Sequence, residues 1–257
     1  MHKQQSSPGA NGRAAATAVA NKTSRATLER ALQAAADPRR AASVAKFFKT
    51  GKGEYGEGDQ FIGITVPELR KIARQQAALG LGDLARLLAS PIHEYRLASL
   101  EILRAQYERA NEAQRMRIVA FYLRQTARMN NWDLVDAAAP YILGQHLKTR
   151  PRQVLRRLAR SANIWERRIA IVSTLALIRG GEVEETYRIA RKLLTDEHDL
   201  IHKAVGWALR ESGKVSSVAL LDFLRTHYEH IPRTTLRYAI ERFPVKTRKK
   251  LLAGDFG

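Results

Sequence analysis

The chain of 257 residues contains no cysteine. That absence excludes disulfide bonds, thiolate nucleophiles and metal sites built on cysteine. The sequence also lacks an apolar run long enough to span a bilayer, and it lacks the apolar segment of a secretory signal peptide. We therefore expect a cytoplasmic protein, associated with the bacterial nucleoid and without a membrane partner.

Several catalytic signatures are missing as well. The sequence has no H-E-x-x-H pair and no G-x-S-x-G elbow, and the glycine-rich stretch 51–60 lacks the ending of a P-loop. His198 with His202 and His227 with His230 have helical spacing, but we interpret them as surface or core side chains. We expect no metal site and no cofactor.

Positive charge is in large excess over negative charge. Lys and Arg number 44 against 25 Asp and Glu, which gives a formal net charge of +19. Such a chain is expected to bind a polyanion, and nucleic acid comes first. An anionic membrane surface is the alternative. The stretch 148–160 holds six cations and no acid: Lys148, Arg150, Arg152, Arg156, Arg157 and Arg160.

Helical periodicity recurs from about Thr27 to residue 252, and no convincing alternation with a period of two residues interrupts it. Predicted helices include 132–143, 151–160 and 164–179. We predict an all-α fold, an α-solenoid of stacked antiparallel helix pairs (HEAT-like repeats) with a basic concave face. Residues 26–257 would form one domain, and residues 1–25, which are basic and contain no acid, would form a disordered tail.

The stretch Asn130–Asp136 (NNWDLVD) is the centre of the functional prediction. Asparagine is a good helix N-cap, so a helix should begin near Trp132, with Trp132 and Asp136 one turn apart on one face. Trp165 and Trp207 follow after 33 and 42 residues, which is a period typical of helical repeats. The alternative interpretation is structural: tryptophan at a helix start is often core, and an early Asp complements the helix dipole.

Cations, asparagine side chains and helix N-termini all bind phosphate, and they gather near residues 130–132 and 161–168. We therefore predict a set of DNA contacts by charge and position. They are Asn163, Trp165, Arg167, Arg168, Lys203, Arg156 and Arg160.

Three motifs in order, NNWDLVD, SANIWERR and HKAVGWALRESGK, resemble the DNA alkylation repair family of HEAT-like-repeat DNA glycosylases, the AlkD type. The resemblance covers about residues 28–250. It implies a right-handed superhelix that holds duplex DNA containing alkylated bases and excises N3- and N7-alkylated purines. We expect the protein to be a monomer.

The resemblance assigns roles to matching residues. Asp136 would be the catalytic carboxylate, Trp132 and Trp207 would lie against the deoxyribose of the lesion, and Arg168 would hold the neighbouring phosphate. Phe47 falls near a position where the family pattern has Tyr, so that hydroxyl contact is missing here. Asp199 and Leu200 also replace family aromatics.

One carboxylate is chemically sufficient for this reaction. A cationic alkylpurine departs as a neutral base, so it needs no general acid, and the oxocarbenium-like sugar needs a nearby negative charge. Two alternatives from other classes remain. One is a non-catalytic HEAT-like protein that binds DNA structure, and the other is a protein-binding scaffold with an apolar or mixed concave face.

Overall fold

A computed structural model describes residues 23–257, and in this range the chain forms helices and no strand. The helices are α1 (Arg25–Ala34), α2 (Pro38–Phe47), α3 (Val66–Gln75), α4 (Leu81–Leu88), α5 (His93–Arg109), α6 (Glu112–Arg124), α7 (Trp132–Ala138), α8 (Gln153–Leu158), α9 (Ile164–Ser173), α10 (Leu175–Ile178), α11 (Glu184–Leu193), α12 (Asp199–Ser212), α13 (Ser217–His227), α14 (Arg233–Ala239) and α15 (Val245–Leu252). The predicted all-α fold is confirmed.

The first helix begins at Arg25, the last residue of the predicted tail. The Ser24 hydroxyl accepts a hydrogen bond from the Thr27 N–H at 3.1 Å and so caps α1. The rest of the tail prediction falls on residues 1–22, which lie outside the described residues. Among residues 23–257, no helix combines the length and apolar character needed to cross a membrane.

Six helices stand side by side and form what we call the row: α3, α5, α7, α9, α12 and α14, each in contact with the next. A second layer, made of α4, α6, α8, α11 and α13, packs behind the row. Apolar side chains such as Leu100, Val135, Ile169 and Leu209 are fully buried in the core. Burial of each such side chain contributes about 1.5–3 kcal/mol. The solenoid of helical repeats is therefore confirmed.

All three helices predicted above are shorter in the structure. The one predicted over 151–160 spans Gln153–Leu158, and side-chain chemistry explains the breaks in the other two. The helix predicted over 132–143 ends at Ala138 because Pro140 has no N–H to donate. The chain continues as a π-helical turn, in which the Gly144 N–H donates to the Ala139 carbonyl at 2.8 Å. The helix predicted over 164–179 is divided at Thr174, whose hydroxyl donates to the Ile171 carbonyl at 2.6 Å.

A glycine brings the last two helices of the row together. A Cβ on Gly206 of α12 would lie 2.4 Å from the Tyr238 Cβ and 2.7 Å from the Thr235 carbonyl oxygen of α14. Only glycine permits that approach, because real Cβ atoms do not come so close to other heavy atoms. Gly206 directly precedes Trp207, so this contact also fixes where Trp207 stands.

The glycine-rich loop ends against the start of α5. The Gln60 N–H donates to the Pro91 carbonyl at 3.0 Å, and the His93 N–H donates to the Gln60 carbonyl at 2.8 Å. The Glu94 carboxylate accepts from the Ile62 and Gly63 N–H groups at 2.8–3.1 Å. These bonds hold the residues on both sides of Gln60 beside the N-terminal end of α5.

Candidate active site

The N-terminal end of α7 forms as the sequence predicted. Asn131 is the N-cap, and its side-chain oxygen accepts from the Trp132 N–H at 2.8 Å. The neighbouring Asn130 has another role, because its amide donates to the Asp59 carboxylate at 3.1 Å. The helix therefore starts at Trp132, and Asp136 stands one turn further along.

Asp136 is held by Arg168 of the adjacent helix α9. Nε of Arg168 donates to Oδ1 at 2.9 Å and Nη2 donates to Oδ2 at 2.7 Å, a bidentate pair. Nη1 donates to the Leu200 carbonyl of α12 at 2.7 Å. The Arg168 side chain is 6% exposed and the Asp136 side chain 20%. One guanidinium therefore links α7, α9 and α12 and orients the carboxylate.

This pairing bears on the phosphate role predicted for Arg168. Its guanidinium has five N–H donors, and three of them are used inside the protein. Two donors remain for a phosphate oxygen, so the contact stays a prediction.

Burial raises the pKa of the Asp136 carboxyl above its ordinary value. The positive charge of Arg168 and its hydrogen bonds oppose that rise, and the nearby charge of Asp133 adds to it. The charge state of Asp136 thus depends on the charges placed around it.

Aromatic rings surround Trp132. Phe48 stacks on its indole with ring centroids 5.2 Å apart, and Phe47 meets it edge-on at 6.0 Å. Phe47, the aromatic predicted from the family pattern, is 65% exposed and stands at the solvent side of this group. The stacking of Phe48 on Trp132 was not predicted from the sequence. The adjacent Phe-Phe pair was the one available signal.

A buried group of charges beside Trp132 was also missed. His93 at the start of α5 lies with Nε2 2.7 Å from Asp133 Oδ2 and Nδ1 3.2 Å from Asp59 Oδ2. Arg96 approaches Asp59 at 2.7 Å, and the Phe61 ring stacks on the imidazole at 4.6 Å. Burial by itself lowers the pKa of His93, but the Asp133 charge and the hydrogen bonds outweigh it and raise the pKa to about 9.

The residues at the start of α9 that were predicted to contact DNA are held in place by contacts within the protein. The Asn163 side chain caps the helix by accepting from the Trp165 N–H at 2.8 Å. Trp165 is buried, and its ring meets Tyr55 of the glycine-rich loop edge-on at 6.2 Å. Arg167 bonds Asp196 at 2.5 Å. These positions are close to Asp136 along the row, but their DNA contacts remain predictions.

On α12, Lys203 pairs with Asp199 at 2.6 Å. Trp207 stands in the middle of the helix and is half-buried against the core. The Arg168 bond to Leu200 joins this helix to the Asp136 pair. The row thus brings α12, which carries Trp207, into contact with the pair, and the role of Trp207 against a sugar stays a prediction.

The basic stretch 148–160 has acids opposite it in space, although none lies within it in sequence. Arg150 pairs with Glu112, Arg152 with Glu182 at 2.7 Å, and Arg156 with Glu185 at 3.2 Å. The cations therefore do not form an uncompensated surface, because distant segments supply carboxylates. Arg157 and Arg160 are exposed and have no ion-pair partner within residues 23–257.

The fold and this geometry define a class: an α-solenoid whose row of helices carries a buried Asp–Arg pair beside a cluster of aromatic rings. A sequence model of the family described as "DNA alkylation repair enzyme" matches residues 28–243. The chain belongs to this family, and the resemblance inferred from its motifs is confirmed.

A solved structure supports the fold assignment. It is described as a predicted DNA alkylation repair enzyme from Enterococcus faecalis, and it aligns with a TM-score of 0.62 and 18% sequence identity. The alignment covers 82% of this chain and 97% of that one. No curated protein matches the chain. Family membership indicates a role in DNA alkylation repair.

Proposed function

We propose that this protein is a DNA glycosylase that releases cationic N3- and N7-alkylated purines from duplex DNA. The observation that carries the proposal is the fixed carboxylate of Asp136. Asp136 lies on the same face of α7 as Trp132, and Arg168 of α9 holds it by two hydrogen bonds. A rigid negative group beside an aromatic wall suits a transition state in which positive charge develops on a sugar.

The reaction needs few groups. The bond between C1′ and the base nitrogen breaks, and its electron pair neutralises the cationic base, which leaves without a proton from the protein. The resulting oxocarbenium-like sugar is stabilised by Asp136 and by the rings of Trp132 and Trp207. Water then adds to C1′ and gives its proton to Asp136 or to solvent. A neutral, unmodified base is a poor leaving group and is spared.

DNA binding is supported by the net charge of +19. Further support comes from the start of α9 at Asn163, which Arg167 and Arg168 follow within the same helix. Arg167, Lys203, Arg156 and Arg160 are the proposed phosphate contacts, with Phe47 at the exposed edge of the aromatic group. We infer that the protein works as a monomer without a cofactor, in the bacterial cytoplasm at the nucleoid.

The test is release of free base from a duplex that carries one N7-methylguanine. The parent protein should release it. Asp136→Asn keeps the shape of the side chain but not its charge, so we expect a loss in rate of about 100- to 1,000-fold with nearly unchanged DNA affinity. Asp83→Asn is the matched control, because Asp83 lies on α4 in an exposed pair with Arg86, and it should retain the parent rate.

A non-catalytic DNA-binding module is the second candidate. The bidentate pair favours it, because Arg168 occupies one lone pair on each Asp136 oxygen and leaves less of the carboxylate for a substrate. A parent protein that binds the duplex but releases neither N7-methylguanine nor N3-methyladenine would establish this candidate and refute the glycosylase.

A further inference from the structure

Helix α7 carries two carboxylates one turn apart, and each has its own cation from a neighbouring helix. Asp136 faces Arg168 of α9 at 2.7 Å. Asp133 faces His93 of α5, also at 2.7 Å. Residues three apart on a helix are neighbours, so each carboxylate lies in the electric field of the other.

The geometry around His93 favours the doubly protonated ring. Both ring nitrogens face carboxylate oxygens, Nε2 at Asp133 and Nδ1 at Asp59. A neutral imidazole has one N–H, so its other nitrogen would direct a lone pair at a carboxylate. With the side chain only 2% exposed, water does not relieve that repulsion. Two carboxylates on one buried ring therefore favour the imidazolium.

The other charged group beside His93 does not change this conclusion. Arg96 lies 3.4 Å from Nδ1 and opposes protonation, but it bonds Asp59 at 2.7 Å. Two acids and two cations thus balance within the group. The Phe48 and Phe61 rings close it from one side, with centroids 5.1 and 4.6 Å from the imidazole.

If His93 lost its charge, Asp133 would remain ionised without its bonded cation. Its negative charge would then act on Asp136 one turn away and favour the protonated form of that carboxyl. The groups that face Asp136 are Arg168, Asp133 and the buried phenol of Tyr122. Of the two acidic neighbours, Asp133 is the one that His93 controls.

We propose that His93 is a positioning residue that neutralises Asp133 as an imidazolium and so keeps Asp136 ionised for base excision. The inference rests on the proposed function, because it concerns the carboxylate that would stabilise the sugar. His93 itself touches neither sugar nor base in this mechanism. It acts through Asp133, and the same contact holds the first turn of α7, where Trp132 begins.

The measurement is an NMR titration of side-chain carboxyls in the full chain labelled with 13C-aspartate. The Asp136 signal is assigned as the one that Asp136→Asn removes. In His93→Gln we expect the acid dissociation constant of Asp136 to fall about tenfold. In His93→Gln/Asp133→Asn, which removes both charges, it should return close to the parent value.

Asp133→Asn alone provides a second test if His93→Gln does not fold. It leaves His93 positive without its carboxylate, so the dissociation constant of Asp136 should rise. An unchanged Asp136 titration in His93→Gln, or in Asp133→Asn where the first variant is unfolded, overturns the inference.

The activity assay separates this inference from the proposed function. With N7-methylguanine duplex, the acidic limb of the rate profile should move to higher pH in His93→Gln, while the rate at the alkaline plateau stays near the parent value. If the parent releases no base, the glycosylase proposal fails, and the NMR titration still decides the coupling. An equal loss at every pH with an unmoved limb would show a purely structural role and overturn the inference.

Discussion

Two arginines, Arg168 on α9 and Arg156 on α8, both belong to the basic part of the sequence between residues 148 and 168. Each pairs with a carboxylate on another helix. The Arg168 side chain is 6% exposed and makes bonds of 2.9 and 2.7 Å to Asp136. The Arg156 side chain is 44% exposed, and its bonds to Glu185 measure 3.2 and 3.3 Å. Glu185 has a second partner in Arg188 at 2.5 Å.

Comparison of the two ion pairs shows that the burial of the arginine decides whether the pair fixes its carboxylate. Water screens Arg156 and can replace its partner, so that pair is a surface feature. Water cannot replace Arg168, so Arg168 fixes the position of Asp136 and favours its ionised form. The row thus holds two dry pairs, Asp136 with Arg168 and Asp133 with His93. On the second layer, Arg156 and Arg188 present their charges to solvent.

Removal of each arginine is the strongest way to break this comparison. Arg168→Ala leaves a mostly buried carboxylate without its cation, so the free energy of unfolding should fall by about 3 kcal/mol. Arg156→Ala should leave the urea midpoint unchanged within error, because Arg188 still neutralises Glu185. Equal shifts in the two variants would contradict the contrast between the row and the second layer.

The row should also respond to mild alkali. His93 has a pKa raised from 6.5 to about 9, so the folded state binds its proton more tightly than the unfolded chain does. The resulting stability is fully present below pH 6.5 and is lost as the pH rises through about 9. It amounts to roughly 3 kcal/mol. Urea unfolding from pH 6.5 to 10 should show this fall in the parent and lose it in His93→Gln.

Two glycines, Gly206 in the row and Gly82 in the second layer, allow the packing of the two regions to be compared. In Gly206→Ala the new methyl meets α14, so we expect destabilisation by about 1–3 kcal/mol. Gly82→Ala in α4 is the control, because a Cβ there meets no atom within 4 Å. That variant should gain about 0.5–1 kcal/mol from helix propensity. Thermal or urea unfolding measures both, and a neutral Gly206→Ala would refute the close approach of α12 and α14.

The smallest expected effect lies on the second layer. Arg157 and Arg160 have no ion-pair partner within the described residues and are free to bind phosphate. If each binds one, Arg157→Ala and Arg160→Ala should each reduce the slope of log affinity against log salt by about 0.9. Arg156→Ala should change it less, because Glu185 already holds that side chain. Equal slopes in parent and variants would remove this stretch from the DNA interface.

Local features of the site were predictable because they depend on residues within one helical turn. The spacing of Trp132 and Asp136 and the cap at Asn131 belong to this kind. The interruption at Pro140 was equally local, but the apolar periodicity carried the predicted helix past it. The stacking of Phe48 on Trp132 was not predictable, because periodicity shows which face of a helix is apolar and does not show which ring packs against it.

The ion-pair partners of the charged groups could not be predicted from the sequence. Arg168 and Asp136 are 32 residues apart, and His93 and Asp59 are 34 apart. A run such as 148–160 looks uncompensated until Glu182 and Glu185 approach it. Contacts at such separations depend on how helices stack, and a one-dimensional pattern does not contain that stacking.

The helical character of the chain, the start of α7 and the excess of positive charge follow from the sequence alone, because propensity, capping and charge are properties of nearby residues. Which cations form ion pairs with carboxylates, and which carboxylate lies beside the aromatic rings, depends on the tertiary structure. The physical reason is that an ion pair takes its strength from distance and dehydration, and both arise only when α5, α7, α9 and α12 pack together.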